Sequence, residues 1–164
     1  MKNILSFCFL LFAAVSLAQS SPYLLKNIAL TGSSYPHEFT KLGSDIFFVA
    51  TDNTHGQALW KTDGTAAGTI MFFDPYAGPI TATGVVDNLT VVGSTLYFRA
   101  FDGAGISGCA LWKSDGTLAG TVLVKRIYIN SSPGADNKMV GMGSNLYFEG
   151  NDSSGSGLDL WKSD

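Results

Sequence analysis

The chain has 164 residues, a formal net charge of −3, and 14% charged residues against 46% hydrophobic and 12% aromatic. Its few charges are scattered, which excludes the basic stripe that nucleic acid or an anionic membrane surface requires. With 19 glycines beside so many aromatics, the composition points to an all-β chain with many tight turns, not a helical or disordered one.

The first predicted element is a secretory signal peptide over residues 1–18. Lys2 supplies its positive end, Ile4 to Val15 is an apolar run broken only by Ser6, and small Ser16 and Ala18 precede a cut before Gln19. The run is too short for a permanent span, and no cysteine follows it to carry a lipid. The expected product, residues 19–164, is therefore secreted or held at the cell surface, with no membrane insertion after cleavage and no nucleic-acid partner. It is long enough for one domain core. Cys8 leaves with the leader, so Cys109 stands alone, without an internal disulfide. It is read as a small buried hydrophobe beside Ala110.

Beyond the leader the chain repeats itself. LGSDIFFVATD (42–52), VGSTLYFRAFD (92–102) and MGSNLYFEGND (142–152) align, with Gly43, Gly93 and Gly143 spaced by 50. Trp60, Trp112 and Trp161 follow at spacings of 52 and 49, and the drift falls in Gly-, Ser- and Asn-rich stretches, as loop-length changes do. The repeat units are 37–73, 87–127 and 138–164. In the second unit, NLTVV (88–92) is a strand and Gly93-Ser94 a hairpin turn with glycine at positive φ. TLYFRA (95–100) follows, with Leu96 and Phe98 alternating against Tyr97 and Arg99. CALWKS (109–114) is the third strand and TVLVKRI (121–127) the fourth, and YLLKNI (23–28) matches that fourth strand ahead of the first unit.

Four short antiparallel strands in about fifty residues is the size of one β-propeller blade, with two apolar faces that each need a neighbour. The expected fold is all-β: propeller-like four-stranded blades of about fifty residues, an incomplete and open arc of about three. The third unit stops at Asp164, where Gly-Thr would come next. It is read as truncated, part of a longer repeat protein, with Trp161 poorly covered.

Two motifs carry a resemblance. Ala50-x-Asp52, then Gly56 and Trp60, is similar to the tryptophan-docking motif of quinoprotein-type propellers; Ala100, Asp102 and Trp112 keep it, and Gly150, Asp152, Gly157 and Trp161 vary it. That likeness implies indoles packed between neighbouring blades. It does not extend to a quinone cofactor, because the vicinal cysteines and metal-ligand cluster of those dehydrogenases have no counterpart. LWKTDGTAAGT and LWKSDGTLAGT resemble the ELWxxDGT repeat family of exported, mostly bacterial, multi-repeat proteins. Leu59-Trp60 with Asp63-Gly64-Thr65 and Leu111-Trp112 with Asp115-Gly116-Thr117 carry the match. Ala58 and Ala110 depart from its first Glu, where the third copy has Asp159. The family is known as a repeat without an assigned reaction. By itself Asp-Gly-Thr is turn chemistry: the carboxylate accepts nearby backbone N–H groups, glycine turns left-handed and Thr restarts the strand. Sialidase-type propellers use a similar turn for stability.

Function is expected in the loops. Those at 52–56, 102–108 and 151–157 offer Asp, Asn and Ser oxygens, and Asp52, Asp102 and Asp152 are candidate Ca²⁺ ligands. Each loop has too few carboxylates for a tight site alone, so plain hairpin loops and no cofactor are expected. No catalytic residues are assigned: His37 and His55 lack metal-ligand spacing, there is no nucleophile elbow or P-loop, and GMGSNL (141–146) sits on a hairpin with no helix after it. The expected function is an exported, non-enzymatic binding or surface-interaction module for a protein or glycan ligand. The alternative is a piece of an extracellular propeller hydrolase or oxidoreductase whose active site lies in other blades.

Overall fold

The structure, a computed structural model, describes residues 21–75, 85–103, 109–127, 139–151 and 158–164. The leader, Asp152, Gly157 and most of the loops at 102–108 and 151–157 lie outside the described residues. Among those described there is no helix, and the strands form three antiparallel sheets, none of them closed. The first sheet runs in the order β1 (His37–Leu42), β2 (Asp45–Asp52), β3 (Gly56–Thr62), β4 (Ile70–Phe73). The second runs β5 (Val86–Val92), β6 (Thr95–Phe101), β7 (Cys109–Ser114), β8 (Val122–Lys125). The third has β9 (Val140–Met142), β10 (Asn145–Gly150) and β11 (Asp159–Ser163), with β10 in the middle. Among the described residues no helix is long and apolar enough to cross a membrane.

One cross-strand pair recurs in the three sheets: Phe48 faces Trp60, Phe98 faces Trp112, and Phe148 faces Trp161. The tight hairpins that set this register hold Gly43, Gly93 and Gly143 at φ of +60°, +61° and +63°, where a Cβ would be strained.

Successive side chains of a strand point to opposite faces, and here both faces are used. Phe47, Val49 and Leu59 on one face of the first sheet cluster with Val86, Leu96, Phe98 and Ala100 of the second. Tyr97 and Leu111, on the second sheet's opposite face, cluster with Leu146 and Phe148 of the third, with Ile127 and Met139. Each sealed Leu or Phe contributes about 1.5–3 kcal/mol, so the two seams supply much of the core's stability.

Four sequence expectations are corrected. The alternation of Leu96 and Phe98 against Tyr97 and Arg99 does not separate core from solvent. Tyr97 and Arg99 are buried as well, because a sheet lies on either side. Arg99 is tolerated there because its Nε donates to Asp87 Oδ1 at 2.6 Å and its Nη2 to Asp87 Oδ2. The fourth strand of the second unit, expected over 121–127, runs Val122–Lys125, but neither Thr65 nor Thr117 itself restarts a strand. YLLKNI (23–28) forms no strand pairing; the segment instead packs Ile28 against Phe48, Ala50, Ala58 and Trp60. Cys109 is half-buried, not sealed, at the start of β7.

Candidate functional site

The repeated phrase builds a polar turn after the tryptophan strands of the first two sheets. In the first, Asp63 Oδ1 accepts Thr65 N at 2.9 Å and Thr65 Oγ1 at 2.7 Å. Thr65 Oγ1 in turn accepts Gly68 N at 2.9 Å, and Thr65 O accepts Thr69 N and Thr69 Oγ1. Thr62 Oγ1 accepts Gly64 N and meets Thr69 Oγ1 at 2.7 Å. The second turn repeats this through Asp115, Thr117, Gly120, Thr121 and Ser114. This second tier of bonds is why Thr65 and Thr117 turn the chain again instead of restarting a strand. Gly64 and Gly116 sit at φ of +91° and +92°. Gly68 and Gly120 are needed for room: a Cβ would lie 2.0 Å from Asp63 Oδ1 and 2.2 Å from Asp115 Oδ1. The bonds from Thr65 and Thr117 hold both carboxyls below the usual aspartate range. In each aspartate it is Oδ1 that takes the two threonine bonds of the turn.

The loop candidates behave differently from one another. Asp52 Oδ1 accepts Thr54 N and His55 N, and Asp52 Oδ2 meets His55 Nδ1 at 2.8 Å. Burial raises the Asp52 carboxyl, but these bonds outweigh it and leave the group lowered. Asp102 Oδ2 accepts Arg126 Nε at 2.5 Å. Asp152 lies outside the described residues. Among the described residues no group of three or more His, Cys, Asp or Glu side chains could hold a metal ion. His37 opens β1 and meets Tyr35 O at 2.8 Å, away from His55. Burial pushes the Cys109 thiol up, away from the thiolate a nucleophile needs.

Two of the three tryptophans sit at the seams. Trp60 is buried in the cluster that Ile28 covers. Trp112 is half-buried against the seam between the first and second sheets, 5.0 Å from Phe73 between ring centroids. Trp161, also half-buried, lies beside the seam between the second and third sheets, with Lys125 Nζ 4.7 Å above its ring.

One recess among the described residues was not among the sequence candidates. Pairing of β1 with β2 slips between His37 and Thr40, and pairing of β5 with β6 slips between Asp87 and Thr90. Within these bulges Glu38 and Asn88 adopt φ of +54° and +58°, a region non-glycine residues seldom occupy and one concentrated at functional sites. Thr40 Oγ1 donates to Glu38 O at 3.1 Å and Leu89 O at 3.4 Å; Thr90 Oγ1 repeats this with Asn88 O at 3.3 Å and Met139 O at 3.2 Å. Leu89 N donates to Glu38 Oε2 at 2.9 Å. Each bulge thereby ties one sheet to the next, and between them opens a recess of about 280 Å³. Glu38, Thr40, Asn88 and Thr90 line it with Phe39 and Leu89. The available signal was Glu38-x-Thr40 recurring as Asn88-x-Thr90 at the repeat spacing. Short polar residues early in a β-strand do not announce a bulge by themselves.

No family model, no curated protein and no solved structure matches this chain. The site is therefore argued from its own chemistry. A carboxylate, an amide and two hydroxyls beside an aromatic and an aliphatic side chain can exchange hydrogen bonds with a hydroxyl-rich ligand and cover its apolar edge.

Proposed function

We propose that this is an exported, non-enzymatic binding module of the ELWxxDGT repeat type, with propeller-like sheets, and that its recess takes a saccharide. The observation that carries the reading is the pair of equivalent bulges presenting Glu38 and Asn88 at positive φ on the recess. Strain held in two copies at one recess is readily understood if the presented groups bind something. The phrases around Trp60 and Trp112 and the antiparallel sheets they sit in support the repeat-type assignment. Engagement of Asp63 and Asp115 in turns favours binding over catalysis.

Glycan-array screening of the purified chain tests the ligand class, with Asn88→Gly and Glu38→Gln as companions. Glycine keeps the positive φ without strain, so Asn88→Gly removes the amide alone. Loss of saccharide binding in both variants at an unchanged melting temperature is expected. A wild-type chain that binds peptides and no glycan overturns the saccharide assignment. Repeating the melt with calcium and then with a chelator checks the Asp52, Asp102 and Asp152 loops, for which no shift is expected. Export predicts that the protein recovered outside the cell begins at Gln19, which N-terminal sequencing reads directly.

A further inference from the structure

Hydrogen-bonding capacity in the recess is lopsided. Thr40 Oγ1 and Thr90 Oγ1 each have one proton, and both protons are committed to main-chain carbonyls: Thr40 to Glu38 O and Leu89 O, Thr90 to Asn88 O and Met139 O. Toward anything in the recess these hydroxyls can therefore only accept. Glu38, as a carboxylate, also only accepts. Its Oε2 takes Leu89 N at 2.9 Å from the neighbouring sheet, which fixes the group in place, while its Oε1 takes no hydrogen bond among the described residues. Of the lining side chains only the Asn88 amide can donate.

Charge points the same way. Among the described residues that line the recess Glu38 alone is charged, and it enters none of the ion pairs among those residues. Arg99 feels its charge, but Nε and Nη2 of that guanidinium hold Asp87. A ligand that fits must bring protons in excess of lone pairs, and a positive charge. A group that presents a lone pair instead takes water from the carboxylate and returns no bond.

We propose, resting on the saccharide reading above, that the recess selects an amino sugar whose free ammonium group sits on Glu38 while its hydroxyls donate to Thr40 and Thr90. An ammonium has three protons and no lone pair, and its bond to a carboxylate is about twice as strong as a neutral one. The acceptors are spread over two sheets, Glu38 and Thr40 on β1 and Asn88 and Thr90 on β5. A lysine side chain has protons at its tip alone and cannot serve them together, whereas a pyranose carries donors around its ring. Phe39 and Leu89 are left to cover the apolar edge of that ring. N-acetylation removes the charge and adds a carbonyl, and a uronic acid sets a second carboxylate against the first, so both bind worse.

Isothermal titration calorimetry with three tetrasaccharides of one β-1,4-linked backbone tests this at mildly acidic pH, where the amine is protonated. They differ at C2 alone: glucosamine, N-acetylglucosamine and glucose. The glucosamine tetramer is expected to bind at least about tenfold more tightly than either of the others. Glu38→Gln keeps an oxygen for Leu89 N but sets an NH₂ donor against the ammonium, so it is expected to melt like wild type and to lose the tight binding. Glu149→Gln removes the same charge from an exposed position on β10 and is expected to keep it, which separates the recess from general attraction of a polycation to a chain of net charge −3. A chain that binds the acetylated or the glucose tetramer as tightly overturns the ammonium assignment and leaves the saccharide reading standing. One that binds none of the three also overturns it, and silence on the glycan array would remove the saccharide reading as well. Tight binding that survives Glu38→Gln, or that falls equally in Glu149→Gln, puts the selectivity outside the recess and overturns the proposal.

Discussion

The first two sheets and the third are written with one repeat, yet equivalent positions behave differently in them. Leu59 and Leu111 are sealed, and Leu160 is open to water. Val49, Arg99 and Glu149 share one place: a buried aliphatic, a buried guanidinium neutralised by Asp87, and an exposed carboxylate. Trp60 and Trp112 bury an indole N–H that finds no acceptor among the described residues, whereas Trp161 Nε1 donates to Gly150 O at 2.9 Å. Gly150 stands where the other sheets have Ala50 and Ala100, and a Cβ there would lie 2.4 Å from Ile127 Cγ2 and 3.3 Å from Trp161 Cδ1. The repeat encodes two apolar faces for every sheet. Whether a face becomes core is decided by the neighbour that reaches it.

The largest effects should separate the sheets. Trp60→Ala, which empties a sealed site, is expected to cost about 3–5 kcal/mol. Trp161→Ala, at a half-buried site, is expected to cost about 1–2 kcal/mol. Urea unfolding followed by circular dichroism measures both, and equal losses would break the comparison. The sharper pair is Leu111→Ala against Leu160→Ala, with about 2–5 kcal/mol expected for the first and under about 0.5 kcal/mol for the second. A large loss at Leu160 would mean that the third sheet is covered within one chain.

These differences mark the limit of what the primary structure discloses. The fifty-residue period, the all-β class, the Gly43, Gly93 and Gly143 hairpins and the strand that bears each tryptophan were legible, because turn glycines and recurring aromatics are local features. Burial of Arg99 was not, because it depends on Asp87 standing opposite on β5 and on sheets to either side. The bulges at Glu38 and Asn88 were missed for a related reason. A two-for-one mismatch between strands is a property of the pair, and nothing in EFT or NLT requires it. YLLKNI misled in the opposite direction: the local match to a fourth strand was real, but a strand forms only where it pairs with an edge, and residues 23–28 pair with none among those described.

A second comparison, between the two complete turns, predicts sameness. Gly68→Ala and Gly120→Ala each push a Cβ into the aspartate carboxylate that holds the turn. Each is expected to cost about 1–2 kcal/mol, the carboxylate being forced off its threonine. The two losses should agree with one another, and the double variant should show their sum, because distant independent sites add. A harmless Gly68→Ala would show that the carboxylate can leave the turn freely.

The smallest effect is in the pH profile, and it distinguishes the first hairpin from the second. The bond to Asp52 raises the His55 pKa above 6.5. Its contribution is therefore complete below that value and fades as pH rises through the folded-state pKa. Asp63 and Asp115 are shifted the other way by their threonine bonds, so their contribution is present above pH 3.8 and fades as pH falls through their folded-state values. In the second hairpin Asp102 pairs with Arg126 instead. The melting temperature should accordingly decline slightly as pH rises beyond 6.5 in wild type, and His55→Asn should flatten that decline while also weakening the part of the acid limb that Asp52 owes to the His55 ring. His55 is 40% exposed, which keeps the effect small. A decline that survives His55→Asn would place the titrating group elsewhere and remove the Asp52–His55 bond from the account of the first hairpin.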